Sequence, residues 1–167
     1  GRAYMPDMSY SRAYETYSST ENLKENGINY TARPVEGTIA RGDMASYENK
    51  NDSTGYAKSA GVKNPLDFST IDMKEAERLY LVNCAICHGT KLDGNGPLWN
   101  GGDGPYPAAP KNLLADDMKA MAEGTMFHSL TYGKNLMGSY ASQLNTVQRW
   151  EVIAYIKMKQ GNVPTIT

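Results

Sequence analysis

Several things are scarce in this 167-residue chain, and each scarcity closes off a class of protein. Cysteine occurs twice, at Cys84 and Cys87. Two cysteines so close together cannot build the disulfide framework of a small secreted scaffold. Net charge is nearly absent, with 17 Lys and Arg against 18 Asp and Glu. The charges are also evenly spread, eight basic and eight acidic over residues 1–65, nine and ten over 66–167. No positive field draws phosphates and neither half is an ionic tail, which excludes nucleic acid as a partner. No apolar run is long enough to read as a membrane span. Strand-like alternation is missing from the C-terminal 100 residues, which leaves helices and loops.

What is present is concentrated at Cys84-Ala85-Ile86-Cys87-His88. Two thiols three positions apart, followed directly by an imidazole, are what covalent attachment of a c-type haem needs. Cys84 and Cys87 add across the porphyrin vinyl groups, and His88 is placed to ligate the iron. The competing readings are weaker. A redox dithiol should follow a strand in a βαβ unit, and none is visible. A structural zinc site needs four ligands; Cys84, Cys87, His88 and His128 could supply four, but the adjacency of Cys87 and His88 fits haem better. Haem attachment to this motif belongs to an exported compartment in bacteria. The chain has neither an initiator Met nor a charged-then-apolar leader, so a removed signal peptide, with Gly1 near the processed end, is the expectation.

The second axial ligand should lie downstream. Met137, in Gly133-Lys134-Asn135-Leu136-Met137-Gly138-Ser139-Tyr140, follows a helix in a loop, where a large apolar side chain needs a reason to be. A thioether is a soft ligand that raises the potential, and His/Met ligation serves electron transfer. Core filling is the alternative for any one of nine methionines, and His128 is a further candidate ligand, although packing within its helix suits it better. The glycines at 89, 94, 96, 101, 102 and 104 do not cradle a nucleotide, since no strand precedes them and no GxxxxGK[ST] is present. Asp93-Gly94-Asn95 lacks the closing Glu of an EF-hand. The glycines instead let backbone pass close to the haem edge. With Gly96, Pro97 is expected to offer a carbonyl to the free N–H of His88.

The chain divides near residue 65. Residues 1–65 are rich in Tyr, Ser, Asn, Gly and Glu, with isolated aliphatics at Leu23, Ile28, Val35 and Ile39. They cannot bury enough apolar area to offset their own ordering entropy. Seven tyrosines, Tyr4, Tyr10, Tyr14, Tyr17, Tyr30, Tyr47 and Tyr56, suit an interface, so an extended, mostly irregular arm that wraps a partner is predicted in preference to a free tail. Residues 66–160 read as one all-α domain with long loops, and 161–167 as a tail. Ser69 and Asp72 predict a capping pair for a helix over about 71–83, with Ala76, Leu79, Tyr80 and Val82 at helical spacing. A short helix from Asp116 to Glu123 is followed by one restarting at Gly124-Thr125 and ending at Gly133. Asn145 with Gln148 caps the last helix, whose Val147, Trp150, Ala154, Tyr155 and Met158 share a face. So small a domain needs extra stabilisation, and a buried haem supplies both an apolar core and a covalent staple.

Through Ala76–Tyr80, Cys84–Gly89, Gly96-Pro97, Pro110-Lys111-Asn112-Leu113, Met137–Tyr140 and Trp150–Tyr155, residues 66–160 resemble a class I monohaem cytochrome c. The resemblance implies crossed N- and C-terminal helices, one haem c, proximal His88 and distal Met137. Gly138 stands where the family often has Pro. Trp99, Tyr106, Leu113 and Tyr140 fall at positions of the haem crevice. Tyr4–Met8, Ala13–Glu15 and Arg33–Gly42 resemble the leader of the monohaem cytochrome subunit of bacterial alternative complex III, a quinol-oxidising respiratory assembly. That likeness implies multihaem cytochrome, iron–sulfur and quinol-oxidising membrane subunits as partners. It also implies a place on the periplasmic face of the cytoplasmic membrane, with a lipid anchor on a cysteine that would precede Gly1. No catalytic substrate site is expected.

Overall fold

The computed structural model describes residues 13–15, 18–30, 38 and 47–162. The chain separates into two compact units, residues 1–40 and 41–167. In the first, helix α1 (Glu21–Glu25) is a single short turn. Asn22 Nδ2 donates to the Tyr14 hydroxyl at 2.7 Å, and the Tyr14 and Tyr30 rings lie 5.8 Å apart. Most of the segments that resemble the alternative complex III leader, and the tail from 163 on, lie outside the described residues.

The second unit holds α2 (Ser53–Ser59), α3 (Met73–Asn83), α4 (Ala85–His88), α5 (Asp116–Ala120), α6 (Glu123–Tyr132) and α7 (Thr146–Lys159). Among the described residues there is no strand, only an isolated bridge between Lys134 and Met137. The all-α expectation therefore holds. Helix α7 begins with a capping box, Asn145 Oδ1 accepting from Gln148 N while Gln148 Oε1 accepts from Asn145 N. Its burial is wider than the single stripe read from the sequence: Trp150 and Val152 to Ile156 are all buried. The reason is its position, packed against α3 on one side and α6 on another. On α3 the Tyr80 and Tyr155 rings approach to 5.4 Å, and Tyr155 donates to Glu77. On α6, Phe127 stacks on Trp150 with centroids 4.2 Å apart and planes 11° off parallel.

Two sequence expectations shift. Asp72 alone caps α3, accepting from Lys74 N and Glu75 N. Ser69 belongs to a separate 3₁₀ turn, Phe68–Thr70, capped by Asp67, because Ile71 is extended and cannot continue a helix. The boundary near 65 also moves, because residues 47–64 pack on the helical domain. Asp52 caps α2 by accepting from Gly55 N. The Ser59 hydroxyl meets Thr125, Tyr132 donates to the Asn49 carbonyl, and Asn64 Nδ2 donates to the Trp150 carbonyl. Gly124 makes this contact possible, since a Cβ there would run into the Ser59 carbonyl and the Val62 side chain.

Candidate haem-binding site

Helix α3 delivers the Cys-x-x-Cys-His motif. Its last turn breaks at Cys84, and the one-turn α4 carries Ala85 to His88 before Gly89, at φ +77°, stops it. The buried Tyr80 hydroxyl donates to the Gly89 carbonyl at 2.7 Å and fixes the exit. Cys84 is buried and Cys87 partly so. Burial pushes the Cys84 thiol up to about 12 and raises Cys87 as well. A redox dithiol needs a lowered thiol pKa, so these thiols do not have that character.

His88 Nδ1 lies 2.9 Å from the Lys111 carbonyl oxygen. A carbonyl only accepts, so Nδ1 carries the proton. Burial lowers the His88 pKa and keeps the imidazole neutral, with the carbonyl pulling the other way. A neutral ring protonated on Nδ1 leaves the Nε2 lone pair for a metal.

The motif opens on a cavity of about 980 Å³, near the upper end for cofactor sites. Its apolar walls include Leu113, Met118, Met126, Leu130, Ile153 and Ile156. Met137 and Tyr140 line it from the loop after α6, and Tyr106 from the Gly-rich loop. A tight turn presents Met137: Lys134 N donates to the Met137 carbonyl and Met137 N to the Lys134 carbonyl, at 2.9 and 3.0 Å. Gly133, at φ +86°, permits the turn, since a Cβ there would sit 2.6 Å from the Met137 carbonyl. Two thiols, a neutral imidazole and a loop thioether on one apolar cavity are a donor set that fits a c-type haem.

Six of the eight cofactor-binding residues expected from sequence line this one cavity: Cys84, Cys87, His88, Met137, Leu113 and Tyr140. Pro97 and Trp99 do not, and the carbonyl on His88 comes from Lys111 in place of Pro97. The Gly96–Leu98 backbone is spent elsewhere. Gly96 N donates to the Cys87 carbonyl and Leu98 N to the Ile86 carbonyl, so this segment is pinned along α4. A Cβ at Gly96 would collide with the Ala85 and Ile86 carbonyls. Trp99 lies against Gly102. The sequence signal for Lys111 was Pro110-Lys111-Asn112-Leu113, a stretch noted only for its likeness.

His128 is buried away from this cavity. Its Nδ1 meets the Tyr47 hydroxyl at 3.0 Å, and the rings of Tyr47, Tyr56 and Tyr132 surround it at 4.8 to 5.8 Å. Among the described residues no three His, Cys, Asp or Glu side chains gather as a metal site would require, so the zinc reading loses its fourth ligand.

The first and last helices of this domain, α3 and α7, pack together beside a Cys-x-x-Cys-His turn that opens on an apolar cavity, and with the family match the domain is a class I monohaem cytochrome c. A family model then narrows the assignment: the one described as cytochrome c oxidase, cbb3-type, subunit III matches residues 72–156, just over half of the chain, and the chain belongs to that family. Membership implies haem c as the cofactor. No curated protein matches the chain.

Proposed function

We propose that this chain is a one-electron relay of a membrane respiratory complex on the extracytoplasmic side, carrying one covalent haem. When bound, the haem supplies a reversible ferrous–ferric couple. Cys84 and Cys87 anchor it as thioethers. His88 gives Nε2 to the iron while Lys111 holds its Nδ1 proton. Met137 would supply the second protein ligand to the iron, which would leave no position open for a substrate. The apolar walls exclude water, which favours the less charged ferrous state. The observation that carries this reading is the neutral, carbonyl-oriented imidazole on the same cavity as the Met137 loop.

The complex we favour is an alternative complex III, on the resemblance of Tyr4–Met8, Ala13–Glu15 and Arg33–Gly42 to that assembly's cytochrome subunit. Residues 1–40 then serve as the arm that wraps a partner. Among the described residues no helix is long and apolar enough to cross a membrane. The same resemblance supports attachment through protein partners and a lipid anchor. A second reading, an oxidase-associated carrier, has the description of the family in its favour. Purification from detergent-solubilised membranes separates them. Multihaem and iron–sulfur chains in the isolated complex support the first reading, copper–haem oxidase subunits the second, and a chain recovered alone overturns both. Intact mass without an acyl group would remove the anchor.

A further inference from the structure

Packing holds the loop bearing Met137 only at Met137 and Tyr140, and the residues between Gly133 and Met137 are exposed. Leu136, the residue before Met137, is 57 % exposed, and Asn135 sits at φ +54°, the left-handed region that Asn tolerates better than most residues. The loop's two ends are tied to α6. Gly133 terminates that helix, and beyond Met137 the Ser139 hydroxyl donates to the Thr131 carbonyl while Tyr140 N donates to that of Leu130. Among the described residues, one side chain bonds the backbone between these ties. The Tyr106 hydroxyl donates to the Leu136 carbonyl at 2.5 Å, across 30 residues of sequence.

Tyr106 is itself anchored to the haem-attachment motif. Tyr106 N donates to the Leu98 carbonyl at 2.9 Å, and Leu98 N to the Ile86 carbonyl at 3.1 Å, between the two cysteines. Gly104 N donates to the Trp99 carbonyl and closes the intervening turn. A Cβ at Gly104 would run into the Leu98 carbonyl. A continuous hydrogen-bonded strap thus runs from Ile86 through Leu98 and Tyr106 to Leu136. Its last two residues, Tyr106 and Leu136, line the cavity.

From this we infer that Tyr106 is a positioning residue: it clasps the Leu136–Met137 backbone to the attachment motif and keeps the Met137 thioether on the iron. The inference rests on the proposed ligation by Met137. It explains how a loop with Gly138 in place of a stiffening Pro can hold an axial ligand. A net hydrogen bond is worth roughly a three- to tenfold shift in the equilibrium between a seated and a released loop.

The test is optical titration of the ferric holoprotein with imidazole, which competes for the position Met137 fills. Tyr106→Phe keeps the ring and deletes the donor, and imidazole affinity is expected to rise about three- to tenfold. Tyr132→Phe deletes a comparable hydroxyl that bonds the Asn49 carbonyl away from the cavity. It should lower stability and leave imidazole affinity unchanged. An unchanged affinity in Tyr106→Phe, or an equal rise in both variants, overturns the clasp. A wild-type spectrum without methionine ligation overturns the Met137 assignment itself, and the clasp with it.

Discussion

On the proposed ligation, single residues decide the electronic character of the site, and Met137 most of all. Three other methionines, Met118, Met121 and Met126, line the same cavity. Met118 and Met126 are buried in helices, where a thioether serves as core filler, whereas Met137 is presented by a turn. Met137→Ala is expected to leave the haem attached but five-coordinate, so that the ferrous protein binds carbon monoxide at neutral pH and the wild type does not. Met121→Leu should keep the wild-type spectrum. That Cys84, Cys87 and His88 face one cavity was legible in the sequence because the three lie within five positions of one another. The carbonyl on His88 was not, since it comes from 23 residues downstream and nothing local marks it. His128 illustrates the same limit. Its neighbours Tyr47 and Tyr56 come from the stretch taken for a partner-binding arm, with Asp52 and Lys134 at the rim of the adjoining pocket. Burial is the main cause that lowers the His128 pKa, with Lys134 adding to it and Asp52 opposing. An unfolded chain restores the ordinary value near 6.5 and takes up a proton first as pH falls. The contribution of neutral His128 is therefore complete above about pH 6.5 and lost as pH falls through its lower folded value. Urea midpoints measured from pH 7.5 to 5 should fall more steeply for the wild type than for His128→Gln.

Elements were readable where their signals are local. The Asn145/Gln148 box and Gly133 mark their helix ends through bonds and dihedrals confined to a few residues, and both are seen. Helix α2 went unread because seven residues show little period, although Asp52 two places before Thr54 was an available N-cap signal. The breadth of burial on α7 was hidden as well, since periodicity reports one apolar face and α7 has neighbours on two sides. The α2–α6 contact depends on one missing side chain. Gly124→Ala places a Cβ 2.7 Å from Val62 Cβ and against the backbone carbonyls of Ser59 and Val62. Backbone cannot rotate out of the way, so the 59–62 segment must lift from α6. Overpacking of this kind costs about 1–3 kcal/mol, minus the fraction of a kcal/mol that Ala gains over Gly within a helix. Chemical denaturation of the holoprotein should show a net loss in that range. The haem spectrum should be retained, because Gly124, Ser59 and Val62 do not line the cavity. A gain in stability would mean that α2 has no fixed seat.

Across the whole molecule, sequence composition and packing divide the chain at different places. Residues 1–65 look uniform in composition, yet the compact units part after Ala40. The difference arises because residues 47–64 are ordered by lying across their own cytochrome domain, the arrangement that a Tyr-rich, aliphatic-poor segment needs and that composition alone cannot assign to a particular surface. Tyr47 packs edge-on to Phe127 at 5.0 Å, Tyr56 lines the haem cavity, and Asn64 joins the loop before α3 to α7. The family match begins only at residue 72, so this brace is an addition to the matched core. Truncation distinguishes a brace from an arm. A chain beginning at Arg41 should fold, attach haem and unfold at the wild-type denaturant midpoint. One beginning at Leu66 exposes Phe127 and His128, strips Tyr56 from the cavity wall and loses the Asn49 and Asn64 bonds. With several buried contacts gone at once it should lose several kcal/mol, a large fraction of the total for a domain of this size. The same pair of chains locates the docking determinant. If residues 1–40 are the wrapping arm, the chain from Arg41 retains its haem spectrum and stability yet no longer co-purifies with the membrane complex. Retained co-purification would place docking on the helical domain instead.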